Sequence, residues 1–399
     1  MQPSAADQAN HDMVDRLIAE GALWSRPLIA AFRSTPRHQF LDRVYQFHRN
    51  DNGWHEINTR EPTREDLRLI YADRALITHL SAPTRDGPGT PISSSSQPSL
   101  MAQMLEDLHL APGLRVLEIG AGTGYNAALL ACVVGPGQVT SIDVDRKVLF
   151  EAWDHLRAFP ERGVDVKHAD GRHGYPEGVP FERIMVTAAT PDVEPAWLEQ
   201  MSPGGILLAP LVLAPGLAFI VRGTVYNRVL TAKLTRAAYF MPLRAEGETG
   251  EPEQRPWDHA GEMQTCPAPW AHWFDRRRPR ASWRVFIQSL AFLGYLRGLA
   301  VQFQSLPDGE SMFAISAGDA VCWYGERRWQ VTGKAGRELG WTLWREFLEL
   351  GGPRPSEYVL QAWQEPPGFP EKGGGYLRRG PRCMQHWQQI DEIERPAFI

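Results

Sequence analysis

The chain has 399 residues, of which 43% are hydrophobic and 22% charged, and its formal net charge is −5. This composition is typical of a soluble globular protein with two or three domains, and the negative charge argues against a general nucleic-acid binder. No apolar run approaches the ~20 residues of a membrane helix, and the four cysteines are too far apart for a disulfide framework or a structural zinc site. We therefore expect a cytoplasmic protein with no metal, nucleic-acid or membrane partner, while the oligomeric state stays open.

Residues 1–91 are predicted to form an N-terminal helical region. Residues 1–10 look disordered, whereas apolar residues recur at helical spacing over residues 11–45. Residues 46–63 are polar and show no clear period. The stretch 82–91 is rich in Pro, Gly and Asp, which predicts a loop.

Residues 92–243 change to alternating strands and helices. A helix is predicted to start near Pro98, with Ser96 as its N-cap. The elements that follow are predicted as a strand at 114–119, a helix at 125–134, a strand at 139–142, a helix at 146–159, strands at 164–167 and 183–187, a helix at 196–201, and strands at 205–213 and 217–221. This alternation predicts an α/β fold of the Rossmann-like, doubly wound kind, whose sheet is mostly parallel.

The composition shifts after Leu243. Residues 245–269 are rich in Glu, Pro and Gly and predict a linker or long loop. The following residues hold nine of the fourteen tryptophans, helix-like patterns at 283–296 and 340–350, and strand-like patterns at 312–316, 321–324 and 329–331. We interpret residues 244–399 as a C-terminal accessory α+β domain.

Two features of this C-terminal region suggest peptide binding, and each has a simpler explanation. Five tryptophans either form an aromatic groove or, as large side chains more often do, pack in a core; they are Trp323, Trp329, Trp341, Trp344 and Trp363. The basic run at residues 276–280 is either a contact for an acidic peptide or a solvated face.

The central chemical motif is a glycine-rich turn between a strand and a helix, Glu118-Ile119-Gly120-Ala121-Gly122-Thr123-Gly124. Glycines at such a turn let the backbone approach a ligand closely, although the turn alone can be purely structural. Asp143 ends the next strand, where a carboxylate accepts hydrogen bonds from ribose hydroxyls or caps the following helix, a task that Asp145 can also perform. Asp170 and Gly171 end the third strand, where an adenine would lie, or form only a turn.

The glycine turn and the two strand-end acids, in this order and at this pitch, are similar to those of class I methyltransferases. The resemblance implies S-adenosyl-L-methionine as cofactor and S-adenosyl-L-homocysteine as product. It implies cofactor contacts at Glu118, Gly120, Gly122, Gly124, Tyr125, Asp143, Val144, Asp170 and Gly171.

A second set of motifs resembles the protein-L-isoaspartate O-methyltransferase family, over roughly residues 12–215. The motifs are Ser96-Gln97-Pro98-Ser99-Leu100-Met101-Ala102, Asp170-Gly171-Arg172, the strand at 183–189, Pro203-Gly204-Gly205, and residues 35–40 and 71–76. The resemblance implies that Ser96 and Ser95 contact the acceptor carboxylate. It implies substrate contacts at Ser93, Ser94, Gln97, Thr187 and Ala188, whereas a serine run without it would read as a flexible polar loop.

Three features depart from the repair enzymes of that family. They are the region 244–399, a segment at 46–70 that looks inserted, and a four-serine run followed by Ser99, where those enzymes usually carry Tyr or His. The combination resembles a variant subfamily from biosynthetic clusters for ribosomal peptides, namely graspetides, lanthipeptides and lasso peptides. This implies methylation of an aspartate side chain in a modified precursor peptide, after which the ester closes to an aspartimide that persists or hydrolyses to isoaspartate.

Two alternatives to this peptide-modifying enzyme stay open. The first is a protein-L-isoaspartate O-methyltransferase that repairs damaged proteins. The second is a catalytically silent, cofactor-binding scaffold, against which the intact set of Ser96, Glu118, Asp143 and Asp170 argues.

Overall fold

The computed structural model describes residues 4–48, 50–83, 87–248, 263–268, 280–305, 311–326, 328–364 and 375–390. The helices in these ranges are α1 (Ala5–Ala19), α2 (Arg26–Ser34), α3 (Arg64–Ile70), α4 (Pro98–Asp107), α5 (Tyr125–Val134), α6 (Arg146–Leu156), α7 (Pro195–Gln200), α8 (Arg280–Leu296) and α9 (Gly333–Glu349). None of them combines the length and the apolarity that crossing a membrane requires.

The strands of the described residues form three sheets. The strands of the first half are β1 (Arg43–His48), β2 (Gly53–Asn58), β3 (Leu76–Leu80), β4 (Pro91–Ser95), β5 (Val116–Ile119), β6 (Val139–Asp143), β7 (Asp165–His168), β8 (Phe181–Val186), β9 (Met201–Ala214) and β10 (Leu217–Tyr226). Those of the second half are β11 (Val229–Ala237), β12 (Met263–Pro267), β13 (Ala300–Ser305), β14 (Ser311–Ala317), β15 (Ala320–Tyr324), β16 (Arg328–Thr332), β17 (Tyr358–Trp363), β18 (Tyr376–Arg379) and β19 (Met384–Gln389).

The central sheet has ten strands in the order β18-β19-β17-β11-β10-β9-β8-β5-β6-β7. Strands β7, β6, β5, β8 and β9 run parallel, and the strands from β9 to β18 pair antiparallel. Strand β5 is buried along its whole length, as expected of a parallel strand covered on both faces. The chain leaves β5 toward β6 on one side and later toward β8 on the other, so the carboxyl end of β5 is the switch point of the sheet, where ligands of such folds bind.

The predicted alternation over residues 92–243 is confirmed, and α5 has the predicted bounds. The N-cap of α4 is Gln97 and not the predicted Ser96, because the helix begins at Pro98 and Ser96 lies one residue too early to cap it. Strand β11 was not predicted, although its buried and exposed residues alternate as in a strand with one solvated face.

The N-terminal region is helical only in part. Strands β1 to β4 form an antiparallel sheet in the order β2-β1-β3-β4, and the hairpin β1–β2 occupies much of the segment that shows no period in the sequence. Residues 5–10, expected to be disordered, lie in α1. This helix starts early because Ser4 and Asp7 form a reciprocal capping box.

The region 244–399 has the predicted α+β content, and its strands divide between a sheet of its own and the central sheet. Strands β12 to β16 make a five-stranded sheet covered by α8 and α9, whereas β17 pairs with β11 and brings β18 and β19 into the central sheet. Strand β12 lies in the predicted linker. One apolar cluster runs from Leu117 in β5 to Trp387 in β19, so the boundary at residue 243 does not separate two cores.

Most of the tryptophans proposed for a groove are core residues. Trp323, Trp329, Trp344 and Trp363 are buried, and only Trp341 of the five is exposed. The basic residues 276–279 and the side chain of Arg280 lie outside the described residues.

Candidate active site

A cavity of about 380 Å³ opens at the carboxyl ends of β5 and β6. The glycine turn forms one wall, the serine strand β4 another, and residues 239–244 after β11 a third. Most of the predicted site residues line it: Ser93, Ser94, Ser95, Ser96, Gln97, Glu118, Gly120, Gly122, Tyr125, Asp143, Val144, Gly171, Thr187 and Ala188. Gly124 and Asp170, which were predicted to contact the cofactor, are not among the lining residues.

The glycine turn is held against the neighbouring strands by its backbone. The amides of Gly120 and Ala121 donate to the carbonyl of Ile142 at 2.8 and 3.0 Å. The Thr187 hydroxyl donates to the carbonyl of Gly120 at 2.8 Å. Gly120 has φ 100°, and a Cβ there would collide with Thr187 Oγ1, so both backbone and space require glycine. The turn therefore presents bare backbone to the cavity.

Asp143 faces the cavity from the end of β6. Its carboxylate accepts from the amides of Gly122 (3.2 Å) and Asp145 (3.0 Å). Burial raises the pKa of Asp143, and these hydrogen bonds oppose the rise only in part. The helix-capping role falls to Asp145, which accepts from the amides of Lys147 and Val148 at the start of α6. The Asp143 carboxylate is therefore available to a ligand.

Glu118 lies fully buried at the back of the cavity. Its two oxygens accept from Asn126 Nδ2 (2.6 Å) and Ser141 Oγ (2.5 Å), and burial raises the pKa of Glu118 to about 7. The Asn126 amide oxygen and the Tyr125 hydroxyl are buried without a hydrogen-bond partner in the described structure, and both residues line the cavity. Buried polar atoms are nearly always paired, so these two indicate a polar ligand.

Asp170 is committed to a neighbour rather than to the cavity. It forms a forked ion pair with Arg172, with a shortest distance of 2.6 Å. Burial alone would raise the pKa of Asp170, but the hydrogen bonds from Arg172 outweigh it and lower the pKa. Gly171 does line the cavity, and a Cβ there would collide with Ile119, so the chain passes the end of β5 as bare backbone.

The serine run is the strand β4 and not a flexible loop. Ser93 and Ser95 are buried, whereas Ser94 and Ser96 are partly exposed. Ser95 Oγ accepts from both Nε and Nη2 of Arg37 at 3.3 Å, which leaves the Ser95 hydroxyl proton free to be donated. Both Ser95 and Ser96 line the cavity at the end of this strand.

Arg37, to which the sequence assigned no role, holds the end of β4 in place. Its fully buried guanidinium donates to the carbonyls of Ile70 (2.6 Å), Ser96 (2.8 Å), Arg74 (3.3 Å) and Ser95 (3.3 Å). Burial lowers the pKa of Arg37 to about 10, so the group is charged at neutral pH. The positive charge thus lies directly behind the two predicted acceptor serines.

The third wall of the cavity was also missed. Residues 239–244 are fixed by backbone hydrogen bonds of 2.7 Å in both directions between Ala189 and the segment, at Met241 and Leu243. Arg244 donates to the carbonyl of Ile92 at 2.8 Å and so connects this wall to β4. In the sequence, the one indication of this wall is that residues 239–244 follow the last strands of the alternating pattern.

Comparison with known proteins identifies the family to which the chain belongs. The sequence profile of the protein-L-isoaspartate(D-aspartate) O-methyltransferase (PCMT) family matches residues 68–246. A protein-L-isoaspartate O-methyltransferase of Methanopyrus kandleri is 34% identical over 206 residues, which are 51% of this chain and 77% of that protein. The chain belongs to this family. A second PCMT relative, from Methanococcus maripaludis, is 30% identical over 237 residues, 59% of this chain and 95% of that protein.

As a PCMT family member, the chain is a protein carboxyl O-methyltransferase whose cofactor is S-adenosylmethionine. The cavity fits this cofactor, because it combines bare backbone at the glycine turn, the carboxylate of Asp143 at its edge and the unpaired polar atoms of Tyr125 and Asn126. Within the described ranges, no three His, Cys, Asp or Glu side chains lie close enough to hold a metal ion.

One solved structure shares the fold of much of the C-terminal region as well. A solved protein-L-isoaspartate O-methyltransferase has a similar fold over 88% of this chain and 96% of its own, with a TM-score of 0.52 and 24% sequence identity. Since only about 12% of this chain lies outside that match, most of residues 244–399 lie inside it. The family profile itself ends at residue 246, so the C-terminal region lies beyond the part that the profile describes.

Proposed function

We propose that the chain transfers a methyl group from S-adenosylmethionine to an aspartate-derived carboxylate in a peptide. The observation that supports this acceptor is the end of β4, where the hydroxyls of Ser95 and Ser96 meet the cavity. Arg37 stands behind them and orients Ser95 as a donor. A carboxylate needs such donors and needs no base, because an aspartate with a pKa near 3.9 is already ionised at neutral pH.

In this mechanism the protein acts by positioning. The cofactor supplies a methyl group made electrophilic by a sulfonium, and the glycine turn, Asp143 and the polar atoms beside Glu118 would hold it. Ser95 and Ser96 donate to one carboxylate oxygen and leave the other free to attack in line. Closure of the cavity around the acceptor removes water from that oxygen, which makes it a stronger nucleophile.

Two acceptors are compatible with this site. The PCMT matches support an isoaspartyl residue in a damaged protein. The second proposal is an aspartate in a ribosomally made, modified peptide, with an aspartimide as the product. It is supported by the hairpin β1–β2 in the inserted segment and by Ser99, whose amide and hydroxyl both donate to Asp73 at the start of α4.

One assay separates the two acceptors. The purified chain is incubated with S-adenosylmethionine and pairs of peptides that differ only in Asp or isoAsp, each in linear and macrocyclic form. Mass spectrometry then follows the gain of a methyl group and the loss of methanol that marks imide closure. Methylation of only isoAsp peptides supports repair, methylation of constrained Asp peptides supports peptide modification, and methylation of neither contradicts both.

A pair of substitutions tests the division of roles within the site. Ser96→Ala should lower kcat/KM for the acceptor about tenfold to a hundredfold, the worth of a hydrogen bond to a charged group, and leave cofactor affinity nearly unchanged. Asp143→Ala should weaken cofactor binding by a similar factor, measured by calorimetric titration. Ser356→Ala, on an exposed turn, is the matched control. Loss of cofactor affinity in Ser96→Ala, or normal affinity in Asp143→Ala, contradicts the assignment.

A further inference from the structure

We propose that a second cleft, next to the reaction cavity, holds the peptide that flanks the acceptor residue and selects peptides with an acidic side chain there. This inference rests on the proposed carboxyl methylation. It adds the class of peptide substrate, and it assigns recognition of the acidic side chain to Arg284 of α8.

The cleft lies between α4 and α8, and its volume is about 910 Å³. Ser99 and Gln103 line it from α4, Arg284 and Gln288 from α8, and Arg236 from the end of β11. One wall therefore belongs to the methyltransferase part of the chain and the opposite wall to the C-terminal region.

The cleft is continuous with the reaction cavity. Gln97, Leu100 and Tyr239 line both spaces. Gln97 follows directly on the acceptor serine Ser96, so a peptide whose carboxylate reaches Ser96 has its neighbouring residues at the mouth of the cleft. The peptide chain on either side of a bound acceptor must extend out of the cavity. The three shared residues lie where such a chain would pass from the cavity into the cleft.

The charges that line the cleft are positive. Arg236 is partly neutralised by an ion pair with Asp107 at 2.7 Å, whereas the exposed Arg284 has no ion-pair partner among the described residues. Arg284 also acts electrostatically on Tyr239 at the shared edge, where it opposes the rise that burial causes in the pKa of the tyrosine. None of the described lining residues is acidic. An anionic side chain is therefore the complement of this surface.

The uncharged part of the lining suits a peptide backbone. Gln103 of α4 and Gln288 of α8 both line the cleft, are partly buried, and have no side-chain hydrogen bond to a described residue. Amide side chains of this kind donate to and accept from the main chain without regard to sequence. The selection among peptides thus falls to Arg284, while the glutamines bind any extended segment.

The test uses the full-length chain and one acceptor peptide in three versions, with Glu, Gln or Lys at the residues that flank the acceptor. Fluorescence anisotropy of labelled peptides gives Kd, and methyl transfer from S-adenosylmethionine gives kcat/KM. The wild type should bind the Glu version about fivefold more tightly than the Lys version, the scale of a partly exposed ion pair. Arg284→Glu should invert this order, and Arg345→Glu, an equal charge change on the exposed face of α9, should leave it as it is.

The outcomes separate this inference from the proposed function. An unchanged Glu-to-Lys ratio in Arg284→Glu, or an equal change in Arg345→Glu, overturns the role of the cleft even if the peptides are methylated. Selective binding that Arg284→Glu inverts supports the cleft even if no peptide is methylated, in which case the acceptor chemistry is what fails. Gln288→Lys provides a second variant, which should strengthen the preference for Glu by a further two- to fivefold.

Discussion

At the scale of single residues, the site depends on two buried ionisable groups that are stabilised in different ways. Arg37 carries its charge into the interior, forms no ion pair with a carboxylate of the described residues, and donates to backbone carbonyls instead. Glu118 accepts two hydrogen bonds but forms no ion pair with a described residue, and burial raises its pKa to about 7. Arg37 fixes the end of β4, which carries the predicted acceptor serines. Glu118 lies at the back of the cavity, beside the residues that would hold the cofactor.

Substitution of Arg37 by Lys should loosen the end of β4, with Ser95 and Ser96, and leave the rest of the site in place. The lysine ammonium has three donors on a flexible stem, whereas the arginine guanidinium is planar and has five donors. Lysine therefore cannot donate to all of the carbonyls that Arg37 reaches on different sides of its guanidinium. We expect Arg37→Lys to lower kcat at least tenfold, to change cofactor affinity by less than threefold, and to reduce the free energy of unfolding by about 2–4 kcal/mol. Steady-state kinetics, titration and denaturant unfolding measure the three. A uniform loss in all acceptor and cofactor constants would indicate a general structural defect instead.

Glu118 should make the cofactor-free protein less stable as the pH rises. Its pKa is about 7 in the folded chain and near 4.5 when unfolded, so the stabilisation is complete below pH 4.5 and lost as the pH passes through 7. Glu118→Gln should remove the contribution of this residue, on the order of 3 kcal/mol between pH 4.5 and 8, while Glu194, whose pKa burial also raises to about 7, keeps its own. Denaturant unfolding across this range measures it, with the exposed Glu349→Gln as control. Parallel curves for wild type and Glu118→Gln would refute the assignment.

The sequence placed at the cavity those residues that lie next to a strand end, while their roles stay predictions. The glycine turn and Asp143 each act within a few residues of a strand end, where spacing alone reveals them. Arg37 was missed because its partners, Ile70 and Ser96, lie 33 and 59 residues away and are reached through their backbone, which leaves no trace in side-chain pattern. The role of Asp170 stays a prediction, since its carboxylate is taken up by Arg172.

At the scale of elements, a buried carboxylate connects the last two strands to the methyltransferase part, beside an ion pair between Arg382 and Glu194. Asp192, in the segment between β8 and α7, accepts from the amides of Arg382 (2.8 Å) and Cys383 (2.9 Å) and from Gln385 Nε2 (2.7 Å). It thereby fixes the turn between β18 and β19. No periodicity predicts such a contact, because its partners lie about 190 residues apart.

Removal of this carboxylate should detach the last two strands. Asp192→Ala leaves the buried amide of Cys383, the part-buried amide of Arg382 and the buried side-chain amide of Gln385 without their acceptor, so we expect a loss of about 3–5 kcal/mol in the free energy of unfolding. Hydrogen exchange should show the loss of protection concentrated in β18 and β19. Asp154→Ala, which removes only an exposed ion pair with Arg157, should cost less than about 0.5 kcal/mol. Equal losses in the two variants would contradict the role of Asp192.

Elements with a clear apolar pattern were predicted well, and those without one were not. Helix α5 is buried on almost every side and reads as a continuous apolar run. Strand β2 is solvated or half-solvated at every position, so hairpin β1–β2 has no period-2 signal. Strand β11 alternates in burial, but its exposed residues include Thr and its buried ones Ala, which blurs the contrast.

At the scale of the whole molecule, the region after residue 243 is part of the enzyme's architecture and not an appendage. Strand β17 covers the edge of β11, and the buried residues of β11 share a core with α8. A chain cut after residue 248 would therefore expose both an unpaired strand and an apolar face.

The truncated chain 1–248 should fail to unfold cooperatively and should aggregate. Thermal unfolding followed by circular dichroism, with size-exclusion chromatography, measures both properties. The Methanococcus maripaludis relative is the matched control, because 95% of its length corresponds to 237 residues of this chain and it should be stable without such a region. A soluble, cooperatively folding 1–248 that binds S-adenosylmethionine would contradict this prediction. It would also make deletion a valid test of peptide recognition.

The pairing of β11 with β17 also sets a time order for biosynthesis. Strand β11 ends at Ala237 and β17 begins at Tyr358, so about 120 residues are translated between the two partners. At ~5–20 residues per second, the ribosome needs roughly 6–24 s for this stretch. During that interval β11 has been synthesised but its pairing partner β17 has not, so the edge of β11 is unpaired. We therefore expect the yield of active protein in a cell to depend on what covers β11 while the rest of the chain is synthesised.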